Sequence, residues 1–169
     1  RAMESIRQAD RDTDRVEIRE LFCEYLTWAG TRVEEEYSIR LEVLPALEAT
    51  MAGIEQFLPP QGRLLLVMEN ERPVGIGCLR RSRDGIGEIK RMYIRPAARG
   101  KGLGRALLEA LLAEAREMGL LTVRLDSVRL MHAAHALYRS AGFVAVEPYP
   151  ESEIPPDYWR YWVFMERRL

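Results

Sequence analysis

Residues 95–112, "RPAARGKGLGRALLEALL", set glycines 100, 102 and 104 directly ahead of a leucine-rich run. A helix N-terminus carries unpaired amides, and glycine lets that backbone approach a ligand with no Cβ in the way. The residues just before it, "IGEIKRMYI" (86–94), read as a strand. The chain is therefore built around a strand–loop–helix unit whose loop is shaped for close contact.

The rest of the pattern fits around that unit. A short strand is expected at 4–9. A helix follows at 11–30, capped by Asp12 or Thr13 and stopped by Gly30. Residues 38–57 carry helical periodicity through Leu41, Leu44, Leu47, Met51 and Ile54, interrupted by Pro45 and Gly53. Residues 63–81 read as a hairpin with "ENERP" (69–73) as its turn, and "SRDG" (82–85) turns the chain into strand 86–94. Beyond the glycine loop come a helix 103–118 closed by Gly119, a strand 121–127 and a helix 131–140 closed by Gly142. Strands at 143–149 and 158–169 complete the chain. An antiparallel meander followed by a strand–helix–strand crossover makes a mixed sheet in one α/β (α+β) domain, residues 1–169. Residues 1–3 are expected to include non-native residues ahead of Met3 and are left out of this reading.

Composition narrows the function. Lys plus Arg number 25 against 26 Asp plus Glu, a net charge of −1, so no basic field draws nucleic acid. The longest aliphatic run, "LLLVM" (64–68), is too short for a bilayer. With no leader-like apolar segment at the start, a cytoplasmic location is expected. Cys23 and Cys78 form neither a disulfide framework nor a metal motif and read as reduced, mostly buried thiols. His132 and His135 share a helical face, but no further ligand accompanies them, so no metal is expected.

The glycine loop fails two phosphate-binding patterns. A Walker A loop needs Ser or Thr after Gly-Lys, where Gly102 stands. A dinucleotide fingerprint needs a third glycine where Arg105 or Leu107 stands. What remains is R-x-x-G-x-G, from Arg99 through Gly100, Lys101, Gly102 and Leu103 to Gly104. Amides converging at a helix N-terminus suit an anion, with Arg99, Lys101 and Arg105 able to add charge-assisted contacts. The alternative is a glycine-rich turn that only starts a helix.

The loop, with the preceding "EIKRMYIRP" and the later "ALYRSAGF", resembles the acetyl-CoA signature of the GNAT superfamily of N-acetyltransferases. The resemblance covers about residues 63–147, and its separated motifs stand in the family's order and spacing. It implies a mixed, splayed central sheet with flanking helices and acetyl-CoA as co-substrate. The glycine loop would then cradle the diphosphate, and the backbone of Met92, Tyr93 and Ile94 would lie along the pantetheine arm. The Met92 amide would polarise the thioester carbonyl. It also implies Glu88 as a candidate general base and Tyr138 as the acid that protonates the leaving thiolate. The alternative for Glu88 is a hairpin glutamate paired with Lys90 or an arginine; for Tyr138, a half-buried helix tyrosine. One position departs from the family: Met131 stands where many relatives carry a pantetheine-contacting Asn.

The expected activity is direct acetyl transfer to a primary amine, with a small-molecule acceptor and a homodimer as expectations. A non-catalytic acyl-CoA sensor and a protein N-acetyltransferase are the alternatives. Tyr158, Trp159, Tyr161 and Trp162 can wall an acceptor pocket or alternate in a last strand. Glu147, Glu151, Glu153 and Asp157 can attract a cationic amine or simply be solvated.

Overall fold

The structure, a computed structural model, describes residues 3–169. Its strands are β1 Glu4–Gln8, β2 Gly62–Glu69, β3 Arg72–Arg83, β4 Ile86–Ile94, β5 Thr122–Val128, β6 Val144–Val146 and β7 Trp162–Arg168. Its helices are α1 Arg15–Tyr37, α2 Val43–Ala52, α3 Leu103–Glu117 and α4 His132–Ser140. The strands form one sheet in the order β1-β2-β3-β4-β5-β7-β6. All neighbours are antiparallel except β4 and β5, which α3 joins as a parallel crossover.

The "LLLVM" run explains the layering. Leu65 and Val67 pack under α3 with Leu107, Leu108 and Leu111. Leu64, Leu66 and Met68 pack on the opposite face with Ile18, Leu21 and Phe22 of α1 and Leu47 of α2. A strand covered on both faces needs an unbroken apolar run, not an alternating one. A third cluster, Val33, Val128, Tyr149, Trp162 and Phe164, fills the far end beneath α1. Among the described residues no helix is long and apolar enough to cross a membrane.

Several boundaries differ from the sequence expectation. Asp10, not Asp12 or Thr13, organises the start of α1: its Oδ1 accepts the amides of Asp12 (2.9 Å) and Thr13 (2.8 Å). Gly30 does not stop α1, which runs on to Tyr37 and ends on Ser38 in the left-handed region. Burying Val33 in the next turn outweighs the roughly 1 kcal/mol that glycine costs inside a helix. The 38–57 segment splits at Gly53 into α2 and a 3-10 turn, Ile54–Phe57. Pro45 is tolerated because it lies in the first turn of α2. The last expected strand divides as well, into a 3-10 turn Pro156–Tyr161 and β7. Strand β6 keeps only three residues of the expected 143–149.

Candidate active site

Strands β4 and β5 are paired only where Ile86–Glu88 faces Thr122–Arg124. Beyond that point β4 follows β3 while β5 follows β7, and the sheet splays. Within β4 the register also skips. Cys78 pairs with Lys90 and Ile76 with Tyr93, leaving Arg91 and Met92 as a bulge. Arg91 takes φ 58, a left-handed backbone that costs a non-glycine residue about 1–2 kcal/mol. The bulge leaves Met92 without a ladder partner on either side.

It also changes where side chains go. Adjacent residues of a regular strand point to opposite faces. Here Lys90 Nζ and Arg91 Nη1 both reach Glu153 Oε1, at 2.9 and 2.7 Å.

Two cavities meet at the splay. The first, about 520 Å³, is lined by the glycine loop, Met92, Tyr93, Ile94 and the start of α4. The second, about 530 Å³, lies between α1, α2, the inner strands and the 153–155 segment. Trp28, Met92, Met131, Ala134 and Tyr138 line both.

In the first cavity Gly100 and Gly102 have φ +79 and +81, and a Cβ on either would meet nothing within 4 Å. Backbone conformation therefore selects glycine here, and the space over the loop stays open. Helix α3 starts at Leu103, so its unpaired first amides adjoin that space. Leu103 and Gly104 line the cavity too.

The basic side chains divide. Arg99 lines the cavity, donates to the Ile94 carbonyl (2.8 Å) and lies over Trp28 at 5.1 Å and Tyr93 at 5.6 Å. Lys101 pairs instead with Glu69 (2.8 Å), and Arg105 donates to Ser140 Oγ (2.6 Å); neither lines the cavity. Arg32 of α1, which no motif marked, does.

Tyr138 is buried at the junction, and burial holds its phenol above the ordinary value, with Tyr25 and Asp126 adding to the effect. It is a proton donor throughout the neutral range. Met131, which lines both cavities, offers only a thioether, a weak hydrogen-bond acceptor. His135 is buried and bonded through Nε2 to Ser127 Oγ (3.1 Å), with its basicity lowered by burial. Among the described residues no group of three or more His, Cys, Asp and Glu is placed to hold a metal. Burial pushes the Cys78 thiol up to about 12.

Glu88 is 1% exposed and lines neither cavity. Its Oε1 accepts from Arg80 (2.8 and 3.1 Å) and lies 3.1 Å from Lys90 Nζ, the arrangement of the alternative reading. The carboxylates on the second cavity are Glu42, Asp126 and Glu153. Burial raises Asp126 to about 6, and Ser152 Oγ donates to it at 3.3 Å. Burial opposes the charge of Glu153, but Arg91 and Lys90 outweigh it and hold the carboxyl down at about 2.

Of the aromatic run, Tyr158 and Trp162 line the second cavity. Tyr161 stacks on Tyr37 (4.6 Å), and Trp159 donates to the Ile154 carbonyl (2.8 Å). Glu151 pairs with Arg83 (2.6 Å), while Glu147 and Asp157 are exposed.

Comparison with known proteins agrees with this architecture. An uncharacterised N-acetyltransferase of Schizosaccharomyces pombe is 32% identical over 105 residues, which are 60% of this chain and 64% of that protein. A Klebsiella pneumoniae structure assigned as an acyl-CoA N-acyltransferase superposes with a TM-score of 0.73 at 30% identity, over 99% of this chain and 98% of its own. A Salmonella typhimurium structure assigned as an acetyltransferase, solved with its cofactor acetyl-CoA, gives 0.67 at 25% identity, over 98% and 94%. Residues 15–143 match the model of the acetyltransferase (GNAT) family, and the chain belongs to that family.

Proposed function

We propose that this protein transfers the acetyl group of acetyl-CoA directly to the primary amine of a small molecule. The observation that carries the reading is the meeting of two cavities at Met92 and Tyr138, in the gap where β4 and β5 part. The first cavity suits the co-substrate: open glycines at a helix start for a diphosphate, and unpaired β4 backbone for a pantetheine amide. The second cavity suits the acceptor. Its walls come from α1, α2, β3, β4, β5 and the 153–155 segment, and its volume of about 530 Å³ is of the size that takes a small molecule.

Acetyl-CoA supplies an activated acetyl group when bound; the protein's own groups do the rest. The Met92 amide, unpaired in the ladder, is the donor for carbonyl oxygen charge. Tyr138, kept protonated by burial, donates to the departing sulfur. The amine must lose a proton, and we assign that base to Asp126: it lines the acceptor cavity, and a carboxyl near 6 is mostly ionised at neutral pH. Glu88, the base candidate in the sequence, instead fixes Arg80 and Lys90. Among the described residues no cysteine lines either cavity, so no thiol is placed there to carry the acetyl group.

The test is release of CoA thiol from acetyl-CoA across a panel of amines, with an amine-free control and acetyl-CoA binding measured in parallel. Amine-dependent release supports the reading. Binding of acetyl-CoA with silence across the panel would favour a sensor or a macromolecular acceptor.

A further inference from the structure

The bulge in β4 gathers more positive charge at the acceptor cavity than the chemistry described so far uses. Side chains of Lys90 and Arg91 are 4% and 14% exposed, and both depend on Glu153. Lys90 keeps a second partner, Glu88 at 3.1 Å. Among the described residues Arg91 has only Glu153 and the Thr50 hydroxyl (3.2 Å), and its Nε is buried with no hydrogen-bond partner among them. Glu153 comes from the irregular stretch between β6 and β7, and its side chain is 43% exposed. The fixed, buried members of this cluster are thus the cations, and the anion is the member on a loop. A buried guanidinium stripped of its anion is strongly unfavourable, so whatever displaces Glu153 must itself be anionic.

From this arrangement we infer that the acceptor is an amino acid, whose carboxylate replaces that of Glu153 on Arg91 while its amine lies at the Met92–Tyr138 junction. The inference rests on the acetyltransferase reading and narrows its acceptor. Arg91, Glu153, Met92 and Tyr138 all line this one cavity, so a carboxylate on the guanidinium and an amine at the junction can belong to a single small molecule. An amino acid carries both groups, whereas a polyamine has no carboxylate to replace that of Glu153. The cavity wall beyond, with Leu26, Ala29, Val43, Ala46 and Trp162, favours an apolar side chain. In the absence of acceptor, Glu153 occupies the carboxylate's place and acts as a built-in competitor.

The test compares matched pairs: leucine with 3-methylbutylamine, and phenylalanine with phenethylamine. Each pair differs by the carboxylate alone. The amino acids are expected to exceed their amines at least about 100-fold in kcat/KM. Arg91→Gln should narrow that ratio to within about 3-fold. Calorimetry of the free amino acids supplies a readout without turnover. Glu153→Gln should tighten their binding about 3-fold by removing the competitor, and this variant carries the test if Arg91→Gln fails to fold. Equal rates within each pair, or weaker amino-acid binding by Glu153→Gln, would overturn the inference. Acetyl-CoA binding and amine-dependent thiol release would survive that result, whereas their loss would strike the acetyltransferase reading itself.

Discussion

The two cavities are built by different means. Half of the first comes from one continuous stretch, from β4 through the glycine loop into α3, and the 130–138 segment with Trp28 and Arg32 of α1 completes it. The second is lined by residues of α1, α2, β3, β4, β5 and the β6–β7 segment, distant in sequence and brought together by strand pairing, packing and the ion pairs of Glu153. A common co-substrate can be held by amides and glycines whatever the neighbouring side chains are. An acceptor has to be distinguished by charge and shape, which only side chains supply. On the proposed function, the difference teaches where variation is tolerated: the first cavity would fix the chemistry, and the second what receives it.

Substitutions on each side sharpen that contrast. The largest effect is expected for Asp126→Asn, which should lower kcat/KM about 10²–10⁴-fold while acetyl-CoA binding persists. In the unsubstituted protein kcat/KM should rise with pH to a plateau above about 6, and the variant should lack that limb. The stability effect has the opposite sign. The unfolded carboxyl releases its proton near 3.8 and the folded one near 6, so folding becomes less favourable as pH rises through that window. Asp126→Asn should therefore raise Tm at pH 8, a gain visible in thermal melts.

Next comes Tyr138→Phe, expected to cost about 100-fold in turnover with little change in acetyl-CoA affinity. Equal losses in both would make Tyr138 a binding residue. Gly102→Val should weaken acetyl-CoA about tenfold by calorimetry, since a β-branched residue resists φ +81 and intrudes on the open space over the loop. Smallest of all is Lys101→Ala, expected under about 3-fold on acetyl-CoA affinity, because that ammonium is already paired with Glu69 outside the cavity wall. A loss larger than that of Gly102→Val would mean that side-chain charge, and not backbone, holds the co-substrate.

The same contrast governs what could be read from the sequence. Met92, Gly102 and Tyr138 were named through the family resemblance of a strand, a glycine loop and a helix in fixed order, and the structure sets all three on the wall of the first cavity. Tyr158 and Trp162 were named but could not be sorted from Trp159 and Tyr161, since a 3-10 turn replaced the expected alternation. Asp126, Arg91 and Arg32 carried no local signal at all. Arg91 depends on a bulge that propensity does not announce, and Asp126 on the splay between strands that only tertiary packing opens. Glu88 illustrates the converse. Its position in β4 matched a base, and the same strand register sets it opposite Arg80, which holds its Oε1 away from both cavities while its Oε2 is buried without a partner among the described residues.

The most direct measurement is a crystal structure of the complex with coenzyme A. The account predicts the diphosphate on the amides of residues 100–104, the pantetheine arm between β4 and β5, and the sulfur beside Met92 and the Tyr138 hydroxyl, opening on the second cavity. Coenzyme A bound outside that gap, or with its sulfur directed away from Tyr138, would contradict it.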